Sequence, residues 1–208
     1  MKRGIARYSY INDHRASLDG KTIATARGEG CFLTTLYRAL KIDYPRFFKM
    51  DNLSKLGFLA SELILEGDER RYSRGEEVAI ICFNRGSSLE SDTRYQATIQ
   101  EQEDYFPSPS LFVYTLPNIV AAEIAIRNKI HGETAFYLQE HFDARALFER
   151  VSEAFEDAGT RAVLAAWIES FDAREAFMTR VEEYDGEPPL FPFSGDTIVK
   201  LLNKSRNG

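Results

Sequence analysis

The apolar positions of this chain change period repeatedly along its length. Over residues 31–40, Phe32, Leu36, Ala39 and Leu40 recur at helical spacing and predict a short amphipathic helix. A longer stripe of Leu53, Leu56, Leu59, Ala60, Leu63 and Ile64 predicts a helix over 51–66, with Gly67 placed to close it. The run 78–84 is instead apolar without a break, the pattern of a strand covered on both faces, and Arg85-Gly86-Ser87-Ser88 turns the chain after it. Ahead of these, 5–12 and 21–26 alternate around Asp19-Gly20, which supplies the positive φ of a tight reversal, so a hairpin or irregular β ribbon is expected.

Downstream, 89–103 reads as a polar helix, and Phe106-Pro107-Ser108-Pro109-Ser110 as an extended break. Pro117 then opens a helix that turns Val120, Ala121, Ile124 and Ala125 inward and ends near Gly132. Residues 135–138 fit a short strand. Asp143 caps a helix running to 158, with Leu147, Phe148, Val151, Ala154 and Phe155 inward and Gly159 after it. Another buried strand covers 162–168, followed by 176–183 and a last helix after Ser194. This alternation predicts an α/β fold, a mixed β-sheet layered with α-helices, in a single domain spanning 1–208, and Gly186-Glu187-Pro188-Pro189 reads as a loop rather than a linker.

Composition narrows the function classes. The 208 residues are 44% hydrophobic, enough for one substantial core, and the net charge is −6, with Lys and Arg scattered among acidic residues. A nucleic-acid partner is therefore not expected. No apolar run approaches the ~20 residues that span a bilayer, and no leader pattern is seen, so a cytoplasmic protein without a membrane partner is expected. Cys31 and Cys82 read as structural thiols, the second inside the apolar run 78–83. No cofactor or metal is expected, and neither His131 nor His141 has a metal-ligand spacing to other His or Cys residues.

Three ordered segments carry a resemblance. Met50-Asp51-Asn52-Leu53-Ser54-Lys55-Leu56 opens the long helix; residues 78–88 form a strand and Gly-Ser turn; and 106–126, with Ser108-Pro109, Pro117-Asn118 and a small-residue helix, leads through Lys129-Ile130-His131-Gly132 to the strand at 135. In this order they resemble the N-terminal half of the β-ketoacyl-(acyl carrier protein) synthases, in the thiolase-like superfamily, over about residues 45–168. The resemblance implies a thiolase-like half fold. It places the nucleophile position on His141, or on Gln139 with a two-residue shift, the latter resembling non-condensing chain-length-factor subunits. A condensing enzyme needs a thiolate there, at a helix N-terminus that lowers its pKa. No cysteine lies near, and the second half's His and Lys motifs are not matched.

The resemblance therefore implies a chain that does not condense acyl groups alone, acting as partner or chain-length subunit in fatty-acid or polyketide-type biosynthesis. Its expected partners are a full-length ketosynthase or a second copy, and an acyl carrier protein. In the family the strand before the nucleophile pairs across the dimer, which here presents Phe136 and Leu138; Phe112, Val113 and Tyr114 approach the interface and acyl tunnel, or are plain core. Two rival readings are an acyl-thioester transferase or hydrolase using His141 with Glu140 or Asp143, and a carrier-protein binding module. The bland readings are a capping Asp143 beside an exposed histidine, His131-Gly132 as a helix stop, and Arg70-Arg71 and Arg74 as a solvated basic turn rather than a carrier-protein contact.

Overall fold

The computed structural model describes residues 2–26, 31–101, 105–186 and 189–207. Eight strands form one sheet: β1 (Lys2–Asn12), β2 (Arg15–Leu18), β3 (Lys21–Thr25), β4 (Val78–Asn84), β5 (Thr134–Leu138), β6 (Ala162–Glu169), β7 (Glu175–Tyr184) and β8 (Phe191–Pro192). Their order is β3-β2-β1-β7-β6-β4-β5, with β8 also pairing β1. One end of the sheet is parallel, β5 and β6 flanking β4, while β7 joins β6 and β1 antiparallel.

The helices are α1 (Phe32–Ala39), α2 (Asn52–Leu65), α3 (Leu89–Gln96), α4 (Pro109–Phe112), α5 (Ile119–Asn128), α6 (Ala144–Ala154) and α7 (Gly195–Asn207). Because side chains alternate across a strand, β4 sends Ile80 and Cys82 into a core with α1, α2 and α5, and Ala79, Ile81 and Phe83 into a second core with α6 and α7. Two covered faces explain why residues 78–84 read as an unbroken apolar run. The expected mixed sheet layered with helices is thus present.

Local chemistry sets the helix ends. Asp51 caps α2 by accepting from the Ser54 amide at 2.8 Å, and Gly67, at φ 75°, turns the chain out of it. Several expectations are corrected. The N-terminal ribbon has three strands, because Ala16 and Leu18 bury β2 between β1 and β3. Pro109 is not extended: it sits at the first turn of α4, capped by Ser108. Helix α3 stops at Gln96, and residues 102–103 of that expected helix lie outside the described residues, as do 187–188 of the expected loop.

Helix α5 stops at Asn128, not near Gly132, because Lys129 adopts the left-handed conformation at φ 54°. His131 and Gly132 are therefore not its stop. Their amides both reach the Gly75 carbonyl, at 3.0 and 3.2 Å, and a Cβ on Gly132 would lie 2.3 Å from the Val78 oxygen. That glycine allows the chain entering β5 to graze the start of β4. Helix α6 ends at Ala154 rather than 158, since the Asp157 carboxylate captures the Gly159 amide in a local turn.

Candidate functional site

The parallel strands β4, β5 and β6 end at the same side of the sheet, where clefts of α/β sheets take ligands. A cleft of about 370 Å³ opens there, lined among others by Arg85, His141, Trp167, Glu169, Glu175 and Arg206. His141 stands exposed in the loop between β5 and α6. Among the described residues its imidazole makes no hydrogen bond. Asp143 points its carboxylate into its own helix, accepting from the Arg145 and Ala146 amides at 2.8 and 3.3 Å. The first amides of α6, which would otherwise favour an anion, are thus already filled. Glu140 lines the same cleft from an exposed position.

Gln139 ends β5. Its amide donates to the Asn84 carbonyl at 2.9 Å, and its side-chain oxygen is shielded from solvent without a donor. The Ile80 amide likewise donates to Glu133 at 2.8 Å, so residues 133, 135, 137 and 139 turn their amides and carbonyls toward β4. Thr134, Phe136 and Leu138 consequently turn theirs away from the sheet, along an edge where β5 has β4 as its one neighbour. Phe136 packs against the α2–α5 core, whereas the Leu138 side chain is 58% exposed. Helix α5 packs beside β5 and leaves Ile126 exposed.

Phe112, Val113 and Tyr114 separate. Phe112 and Val113 are exposed, the former against Tyr95 with ring centroids 5.4 Å apart. Tyr114 is buried and donates to Glu123 at 3.2 Å; burial, with Glu123 beside it, pushes the phenol up to about 12. Glu123 is fully buried and also held by Arg46 at 3.1 Å.

The basic turn is not simply solvated. Arg71 engages Glu62 and the Asn128 side chain, Arg74 pairs with Glu77, and Arg127 reaches Glu62 at 2.9 Å. These groups lie beside the amino end of β4, away from the cleft. The buried carboxylates Glu62, Glu123 and Glu169 escaped the sequence reading. Glu62 and Glu123 each interrupt an apolar helix and Glu169 ends an apolar strand, and that was the available signal.

Among the described residues, no group of three His, Cys, Asp or Glu side chains is placed to hold a metal ion, and no single helix is long and apolar enough to cross a membrane.

No family model matches the sequence, and no curated protein matches it significantly. Solved structures do match in fold. The ishigamide ketosynthase/chain length factor aligns with TM-score 0.67 at 14% identity, over 91% of this chain and 65% of its own. A chain of the ketosynthase ApeO in complex with its chain length factor ApeC, from Xenorhabdus doucetiae, aligns with TM-score 0.61 at 16% identity, over 100% of this chain and 93% of its own. A type II PKS acyl-carrier protein complex with its ketosynthase gives TM-score 0.57 at 12% identity, over 88% of this chain and 62% of that one. The chain thus spans less than two thirds of the first and third, and nearly all of the second. Its fold is similar to that of these ketosynthase and chain length factor structures.

Proposed function

We propose that this protein is a non-condensing, ketosynthase-like partner subunit, of chain-length type, in fatty-acid or polyketide-type biosynthesis. The observation that carries the reading is β5. It offers the outward amides and carbonyls of Thr134, Phe136 and Leu138 to a further strand, and in this reading the chain after it carries the family's nucleophile position on His141, or on Gln139 with a two-residue shift, in place of cysteine. Its partner in this reading is a complete ketosynthase, with a second copy as the alternative occupant, and an acyl carrier protein is the substrate donor of that complex. The fold-mates solved as ketosynthase/chain length factor and carrier-protein complexes support this assignment. A cytoplasmic setting belongs to the same reading and rests on Cys31 and Cys82 being free thiols.

The rival in which His141 performs thioester hydrolysis is less well supported. Asp143 is committed to capping α6 and leaves the imidazole without an orienting carboxylate. Co-purification from the native lysate, with sizing by light scattering, tests the proposal. A near-equal complex with a full-length ketosynthase is expected. Leu138→Asp, an exposed position, should abolish that complex while leaving the circular dichroism spectrum unchanged. An unchanged complex mass in the variant would overturn the β5 interface. Thioester turnover that is lost in His141→Ala would favour the hydrolase instead.

A further inference from the structure

Glu169 ends β6 at the floor of the cleft and is only 6% exposed. Its two oxygens together accept four backbone amides. One takes Arg85 and Gly86 at 3.0 and 2.9 Å, and the other takes Ser170 and Phe171 at 2.9 and 3.0 Å. The first pair belongs to the turn after β4, the second to the loop after β6. Four convergent amide donors make a concavity complementary to an anion. The cage is shaped for close contact: a Cβ on Gly86 would lie 2.7 Å from a Glu169 oxygen and 3.0 Å from the Phe171 Cβ. Arg85 and Asp172, outside the cage, add an exposed ion pair between the same two loops.

We propose that these four amides form a carboxylate-binding site whose resident ligand is the chain's own Glu169, and that the bound carboxylate clasps the two loops bordering the His141 cleft. Emptied of its side chain, the site takes a small free carboxylate of the formate or acetate class. Glu169 is then a positioning residue for the cleft. The inference stands on the cage alone and does not depend on the partner-subunit reading.

The test is rescue of Glu169→Ala by formate. The variant should melt several degrees lower than the unaltered protein, on a scale of about 2–4 °C per kcal/mol lost for a chain of this size. Sodium formate at about 0.1 M should raise its midpoint above that in equal sodium chloride, which controls for screening. The unaltered protein should respond to the two salts alike. Equal effects of formate and chloride on the folded variant would overturn the proposal. Should Glu169→Ala not fold, amide exchange in the unaltered protein decides. Arg85, Gly86, Ser170 and Phe171 should exchange slowly and as a group, and exchange at the rate of an open loop would sink the clasp.

Discussion

At the scale of single residues, burial has been used to hold ionisable groups in one protonation state. Cys82 is fully buried, and desolvation pushes its thiol up from an ordinary 9.0 to about 12; Tyr114 moves from 10.0 to about 12 for the same reason, reinforced by Glu123. Both groups are neutral in their protonated form and are held above their unfolded values. Their stabilisation is therefore complete below about pH 9 and is lost as pH rises through 10 toward 12. Urea midpoints should be flat through neutral pH and then fall across that alkaline window, with Tyr114→Phe removing part of the fall. A midpoint indifferent to pH between 9 and 11 would contradict the assignment. Asp51, Asp143 and Gly67 were legible as caps because a cap is a local hydrogen bond or backbone angle. Glu62 and Glu123 were not, since their partners Arg71, Arg127, Arg46 and Tyr114 come from other elements.

At the scale of elements, the close contact of α2 with α5 is decided by Gly57. A Cβ there would meet the Val120 side chain at 2.4 Å and Ile168 at 3.0 Å, in a fully packed core. Gly57→Ala should therefore cost about 1–3 kcal/mol despite alanine's better helix propensity, and pairing it with Val120→Ala should recover part of the loss. Chemical denaturation of the two variants measures this; a stabilised single variant would mean the helices lie further apart. Element type was readable wherever periodicity was strong, as in α2, β4 and α6. Ends were misread where a single backbone angle intervened, as at Lys129, or where a side chain closed a turn, as at Asp157. Neither event leaves a mark in hydrophobic period.

At the scale of the whole molecule, both cores share one sheet, and every central strand contributes alternate residues to each. Unfolding should accordingly be a single cooperative transition, with far- and near-ultraviolet circular dichroism changing together. Two separated transitions would indicate that the α6–α7 layer melts on its own. The same sheet leaves β5 at one edge, which is why the assembly reading concerns that strand and not the interior β4 or β6. The cleft and the amide cage around Glu169 both lie at the carboxyl end of the parallel strands, and each draws on segments separated by tens of residues.

By itself, the amino-acid sequence determined the kind and order of most elements, the apolar faces they bury, and an α/β class. Those properties follow from local periodicity and residue chemistry. Tertiary structure alone decided that β7 lies between β6 and β1, that Tyr114 is buried while Phe112 and Val113 are exposed, and that Glu169 gathers four amides from two loops. Strand order and convergent donors depend on which distant segments meet, and pairing across that distance is set by the packing of the whole sheet rather than by any local window.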